Sequence, residues 1–438
     1  MKKFFDWMEE HFIPVAAKIG AEKHLAAIRD GFVAIIPIIM AGAFAILINN
    51  FSWPWYQEFM KNIFGEGWKN WGGSIWNGSY AIMSLLVTFS IAYNLARSRG
   101  KDGLASGLTA VGTFIIFFGD LAKTTEFLGT NGLLLALAVS LVVGDLMSYL
   151  MGNPKLVIKM PAGVPPAVAR SFAALFPSMI VLAIVATIQV IYTIFGDSNI
   201  PAAIYSAVQA PLQGIVGSFW GVLVLILVIQ ILWFFGLHGS NMMLPIVNGV
   251  LLPLTIDNMD MVKLGKAPTN IINDQFLNSF VFMGGAGATI CLVAAIFIVN
   301  RTRKKKSEAQ LTIAKLGALP GVFNINEPVI FGLPISLDPI YFVPFLIVPL
   351  LNAIVAYYAT LLHFVPIVAL QASWTIPPIL SGAIATNSWQ GGLLSIILLV
   401  IDTLIYIPFV GIAAHRDIKN QEEAIRAAEE AAAAKEEA

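Results

Sequence analysis

Apolar runs recur along the whole chain, and each approaches or reaches the ~20 residues that a helix needs to cross a bilayer. Charged residues make up only 12% of the 438 residues, whereas about 25% is usual in soluble proteins. We therefore predict an all-α polytopic membrane protein with about ten transmembrane helices. The predicted spans are 31–50, 79–97, 104–119, 132–150, 177–195, 217–237, 242–256, 278–299, 341–362 and 391–411.

The distribution of basic residues supports this count and gives an orientation. Basic clusters at 97–101, 301–306 and 416–419 fall on one side, whereas the loops 196–218 and 363–390 contain no Lys or Arg. Because cytoplasmic loops are enriched in Lys and Arg, both termini are predicted to be cytoplasmic. Lys+Arg and Asp+Glu both number 26, so no basic excess indicates a nucleic-acid partner; the predicted surroundings are the lipid bilayer.

Two apolar segments, near 316–339 and 364–389, are interrupted by Pro, Gly and Asn. Irregular backbone at membrane depth is tolerated only where protein or a water-filled cavity satisfies it, and transporters place their substrate sites there. We predict two re-entrant hairpins and amphipathic interfacial helices in addition to the spans. The predicted organisation is a cytoplasmic amphipathic segment (1–30), an N-terminal scaffold half (31–195), a C-terminal transport half (196–416) and a cytoplasmic Ala/Glu-rich tail (417–438).

Polar residues in these broken segments are the candidate site. Glu327 lies in the sequence NINEPVIFG and His238 in WFFGLHGSN. An ionisable group at membrane depth is costly, so it is a functional candidate by default. The alternatives are that Glu327 caps its own half-helix, that His238 is structural, and that Trp233 and Trp374 serve packing or the interfacial belt.

Several functional classes lack their signatures. The sequence contains no GxxxxGK[ST] motif and no TVGYG filter, and its five histidines and one cysteine lack metal-ligand spacing. We predict neither a metal nor another cofactor. From the residues alone, an ion- or proton-coupled secondary transporter of a small polar solute stays open as the alternative function.

Three segments resemble one family of transporters: GVPPAVARSFAALFP (163–177), WFFGLHGSN (233–241) and FNINEPVIFGLPI (323–335). The chain is similar to the membrane component, IIC, of the phosphoenolpyruvate-dependent sugar phosphotransferase system, in its lactose/cellobiose/diacetylchitobiose branch. The resemblance implies a homodimer in the bacterial cytoplasmic membrane, with ten spans and two re-entrant hairpins per protomer. It also implies dimerisation through the N-terminal half and sugar binding in the C-terminal half.

The resemblance also implies a mechanism. A β-linked disaccharide such as cellobiose or diacetylchitobiose would be carried inward and phosphorylated by a separate cytoplasmic IIB, itself supplied by IIA. Phosphotransferase activity would exist only together with IIB, which carries the phosphate on a cysteine in this branch. Glu327 and His238 would act at the phosphorylated hydroxyl. The other residues carried over as substrate-binding are Trp233, Gly239, Asn241, Asn326, Gly332 and Trp374.

Overall fold

A computed structural model describes residues 22–436, except 51–53, 122–123, 159, 162, 197–198, 334 and 336–337; side chains are described up to residue 423, apart from those of residues 40, 47 and 50. Every regular element in these ranges is a helix. The all-α prediction is confirmed. Most of the predicted N-terminal amphipathic segment, residues 1–21, lies outside the described residues.

Among the described residues, the N-terminal half contains seven α-helices: α1 (Lys23–Asn50), α2 (Pro54–Phe64), α3 (Asn70–Asn77), α4 (Met83–Ser98), α5 (Gly103–Ile116), α6 (Leu133–Leu150) and α7 (Pro166–Phe195). Local chemistry sets several of their ends. The Asp102 side chain accepts a 3.0 Å hydrogen bond from the Ala105 amide and so caps α5. Pro166 begins α7, at a position where the missing N–H is not needed.

Nine helices form the C-terminal half: α8 (Ile200–Val216), α9 (Phe219–Phe234), α10 (Gly239–Lys263), α11 (Thr289–Thr302), α12 (Glu308–Val322), α13 (Glu327–Gly332), α14 (Pro339–Leu361), α15 (Pro378–Thr386) and α16 (Trp389–Glu436). A short helical turn, Asp274–Phe276, continues as the π-helix Leu277–Val281, and tight turns at 282–288 separate it from α11. The helix α16 continues beyond the apolar run into the Ala/Glu-rich tail.

Helical residues occur in all ten predicted spans, although turns at 282–285 interrupt the span 278–299. In the described residues, eight helical stretches are long and apolar enough to cross a membrane, and two of them, Glu66–Ser98 and Asp274–Thr302, combine shorter elements. The number is nine if α8 and α9, which meet at a 76° bend, count as one span. The helix α5 is a shorter apolar helix of 14 residues. The helix α7 runs through Pro177 as one helix of 30 residues, so it extends the predicted span 177–195 by eleven residues towards the N-terminus.

The side chains pack into two hydrophobic cores. One core is built mainly from α1 and α4–α7, and the other mainly from α9 and α11–α16. At one end of the first core, the Asp145 carboxylate lies 2.6 Å from the Arg99 guanidinium and 2.8 Å from His24 Nε2. This group joins α1, α6 and Arg99, the residue that follows α4. The two broken segments lie within or beside the second core.

Candidate functional site

A cavity of about 550 Å³ lies between the two cores. Its walls are the face of α1 around Phe32 and Ile36, the break between α9 and α10, and the two irregular segments. Such a volume is typical of small-molecule sites. The cavity is lined by ten polar side chains: His238, Ser240, Asn241, Asn248, Asp274, Asn278, Asn324, Asn326, Glu327 and Gln371.

His238 precedes α10 and caps its first turn. Its Nδ1 accepts a 3.2 Å hydrogen bond from the Asn241 amide, so in the neutral imidazole the proton is on Nε2. Nε2 lies 3.5 Å from Glu327 Oε1. The indole of Trp233 packs against the imidazole with ring centroids 4.2 Å apart, and its Nε1 donates a 3.0 Å hydrogen bond to Ser240. The imidazole is thereby oriented with its N–H towards the carboxylate.

Glu327 opens the short helix α13 and presents its carboxylate to the cavity. Its Oε2 is shielded from solvent and has no hydrogen-bond partner among the described residues. The contact of Oε1 with His238, at 3.5 Å, is at the long limit for a hydrogen bond. A carboxylate held with so few donors is stabilised when a ligand supplies them.

Two asparagines hold the broken segments together around this carboxylate. Asn324, with a φ of +63°, accepts a hydrogen bond from the Gly284 amide (2.7 Å) and donates to the carbonyls of Trp374 (2.5 Å) and Ile376 (3.0 Å). Asn326 donates to the Ala286 carbonyl at 3.2 Å. The two segments, far apart in sequence, therefore meet at one wall of the cavity.

The two predicted tryptophans differ in exposure. Trp374 is 50% exposed and lines the cavity, so its ring face is available to a ligand. Trp233 is only 1% exposed and its indole N–H is already bonded, which makes it a positioning group for His238. The structure therefore brings Glu327, His238, Trp233 and Trp374 together around one cavity, as it does Asn241 and Asn326.

The two predicted glycines lie outside the cavity lining. A Cβ on Gly239 would come within 2.2 Å of the Ile229 carbonyl oxygen, and one on Gly332 within 2.9 Å of Ile313 Cδ1. Both therefore permit close packing of neighbouring elements. Their contact with a substrate stays a prediction.

Sequence reasoning did not predict six of the polar lining residues: Ser240, Asn248, Asp274, Asn278, Asn324 and Gln371. Asp274 is 5% exposed, and its carboxylate accepts a short hydrogen bond from the Thr255 hydroxyl. Gln371 accepts one from the Tyr80 hydroxyl. The polar triplet Asn273–Asp274–Gln275, at the edge of an apolar run, was the available signal; the predicted span began after it, at residue 278.

Fold and site together define a multi-pass membrane transporter with a polar cavity formed where helices break. The family model described as "Phosphotransferase system, EIIC" matches residues 29–349. The chain belongs to this family, so it is the membrane permease component of a sugar phosphotransferase system. The resemblance inferred from the motifs is confirmed.

Two curated relatives and one solved structure illustrate the likeness. The oligo-beta-mannoside-specific EIIC component of Bacillus subtilis (strain 168) is 33% identical, with 93% of each chain covered. The cellobiose-specific EIIC component of Lactococcus lactis subsp. lactis (strain IL1403) is 32% identical, with 94% of this chain and 97% of the relative covered. The crystal structure of ChbC, the IIC component of the N,N'-diacetylchitobiose-specific system, superposes with a TM-score of 0.89 at 31% identity, covering 95% of this chain and 99% of ChbC.

Proposed function

We propose that the chain binds a β-linked disaccharide, such as cellobiose or diacetylchitobiose, in the cavity and presents it for phosphorylation by a separate IIB subunit. The names of the relatives and of the structural neighbour support this class of substrate. The observation that carries the proposal is the carboxylate of Glu327, which lines the cavity and whose one side-chain contact in the described residues is the 3.5 Å approach of Oε1 to His238. A sugar hydroxyl is a donor of suitable size and polarity for that carboxylate.

The geometry suits transfer to one hydroxyl. A hydroxyl that donates to the Glu327 carboxylate can also accept from the Nε2–H of His238, because Oε1 of Glu327 and Nε2 of His238 are neighbours. When the hydroxyl oxygen attacks the phosphorus of phosphorylated IIB, an O–P bond forms and the S–P bond breaks. The hydroxyl proton passes to Glu327, which acts as a general base, and the thiolate leaves with IIB.

The remainder of the cavity fits the rest of a disaccharide. The exposed indole face of Trp374 can stack against the apolar face of a pyranose ring. Asn241 and Asn326 line the wall next to His238 and Glu327, and their amides can bond further hydroxyls. Asp274 and Gln371 offer acceptors elsewhere on the lining. One sugar of the disaccharide would then bond to Asn241 and Asn326, and the other to Asp274 and Gln371.

The phosphoryl donor is proposed to be on another chain. Cys291, the single cysteine of the sequence, is 1% exposed within α11, so it presents no thiolate to a cytoplasmic partner. We propose that IIB docks at the cytoplasmic side, that IIA recharges it, and that the permease is a homodimer with both termini in the cytoplasm. The basic cluster at 301–306 supports this orientation.

Reconstituted vesicles test the proposal. Uptake of radiolabelled cellobiose and diacetylchitobiose should require phosphoenolpyruvate and every upstream phosphotransferase including IIB, and the internal product should be the sugar phosphate. Omitting IIB should stop uptake while sugar binding to the permease persists. Accumulation of unmodified sugar under a proton or sodium gradient alone would contradict group translocation and favour a gradient-coupled transporter.

A further inference from the structure

Three buried polar side chains form a cluster in the C-terminal core, away from the lining of the sugar cavity. Asp402 of α16 and Asn352 of α14 are 0% exposed, and Cys291 of α11 is 1% exposed. Asn352 Nδ2 donates a 2.8 Å hydrogen bond to Asp402 Oδ2, and Cys291 Sγ lies 3.8 Å from the same oxygen. The cluster joins three helices of the transport half.

Within the described residues, no positively charged side chain lies within ion-pair distance of this carboxylate. Among the ion pairs of the described residues, none involves Asp402. The hydroxyl of Tyr406, one turn further along α16, donates to the Gly287 carbonyl at 2.6 Å. An ionised carboxylate in a buried site with only an amide and a thiol as donors is strongly disfavoured.

Two oxygens of the pair lack any donor. Asp402 Oδ1 and Asn352 Oδ1 are both buried and without hydrogen-bond partners in the described residues, although their side chains are already joined through Oδ2 and Nδ2. A proton on Asp402 Oδ1 removes the charge and converts that atom into a donor. The amide oxygen of Asn352 is then the acceptor within the same pair.

A metal cation fits the cluster less well than a proton does. Hard cations such as Ca²⁺ and Mg²⁺ take six or more oxygen ligands, and the pair offers two unpaired oxygens. No group of three His, Cys, Asp or Glu side chains suited to a metal occurs in the described part of the chain.

We infer that Asp402 is a proton-binding site: it holds a resident proton as a neutral acid hydrogen-bonded to the Asn352 amide. The pair links α14 to α16 as an uncharged polar contact between helices. Because none of its members lines the cavity, the proton stays with the protein and does not travel with the sugar. The inference is independent of the substrate proposed above.

Infrared spectroscopy of the full chain, purified in detergent at neutral pH, tests the inference. The wild-type protein should show a carbonyl band of a protonated carboxylic acid that Asp402→Asn lacks. Glu58→Gln, which changes an exposed carboxylate on α2, should leave that region of the spectrum unchanged. Loss of ionised-carboxylate absorption in Asp402→Asn, with no loss of an acid band, would overturn the assignment.

A second variant tests the pairing even if Asp402→Asn fails to fold. Asn352→Leu removes the N–H that bonds the acid carbonyl, so the same acid band should move to higher wavenumber. A protonated-acid band whose position is identical in folded Asn352→Leu and wild-type protein would show that Asp402 is not paired with Asn352. The absence of an acid band in both wild-type protein and Asn352→Leu would refute the proton site.

Discussion

Replacing Glu327 by Gln separates the two roles proposed for this carboxylate. The amide has nearly the same shape, but it is uncharged and cannot accept the proton of a hydroxyl. A hydrogen bond to a charged group is worth about 1.5–3 kcal/mol. At roughly 1.4 kcal/mol per factor of ten, sugar affinity should fall by about 10- to 100-fold.

The phosphorylation rate of bound sugar should fall further. Loss of a general base typically costs about 10²- to 10⁴-fold, beyond the loss of affinity. Isothermal titration calorimetry with purified protein measures the first effect, and phosphoryl transfer from phosphorylated IIB at saturating sugar measures the second. The control is Glu58→Gln, the same chemical change at an exposed position of α2, which should leave both quantities unchanged.

A further comparison tests whether Glu327 and His238 share one hydroxyl. His238→Ala should weaken binding by a similar factor, and the double variant should lose less than the sum of the two single losses. Glu327→Gln protein that is folded, binds sugar with wild-type affinity and is phosphorylated at the wild-type rate would refute the assignment of the site.

Three further substitutions test other parts of the structure. Trp374→Ala should weaken disaccharide affinity by a smaller factor than Glu327→Gln, because aromatic contacts contribute ~0.5–1.5 kcal/mol. The control is Trp389→Ala, at a 72% exposed position outside the cavity lining, which should leave the affinity unchanged. Asn324→Asp keeps the acceptor for the Gly284 amide but loses both hydrogen bonds donated to the carbonyls of Trp374 and Ile376, so thermal stability and sugar affinity should fall together, by ~1–3 kcal/mol. An unchanged melting temperature and affinity would show that Asn324 does not hold the two broken segments together. A cysteine at Lys304 should react with impermeant maleimide only from the cytoplasm and one at Lys266 only from outside, and the reverse pattern would overturn the orientation.

Hydropathy predicted the helices well because a span must satisfy every backbone group internally, and this imposes long apolar runs. The same argument marked the two broken segments and singled out Glu327. Proximity was harder to predict. His238 and Glu327 are 89 positions apart, and their 3.5 Å contact depends on how the break before α10 packs against α13. Before the structure, only the family resemblance brought them together.

Other features depend on tertiary contacts that leave little trace in sequence. Asp274 lies beside a predicted span and becomes part of the cavity only because a short helical segment precedes the turns before α11. Gly239, predicted to bind substrate, lies outside the cavity lining, and its lack of a side chain allows the start of α10 to approach the Ile229 carbonyl. A motif indicates that a residue matters, but the backbone around it determines whether it meets the ligand or the protein.

The two halves of the chain contribute chemically different side chains to the cavity lining. The N-terminal half contributes only apolar side chains to the lining, from Phe32 to Ile39 of α1 and Met83 of α4, whereas all ten polar lining residues come from position 238 onwards. If the sugar bonds to these residues as proposed, we expect that it can move relative to α1 without breaking hydrogen bonds. Ile36→Asn would add a polar partner on the other wall, and we expect it to slow uptake more than it weakens binding. Equal losses of uptake and affinity, measured by initial rates in vesicles and calorimetry, would show that the α1 wall serves binding alone.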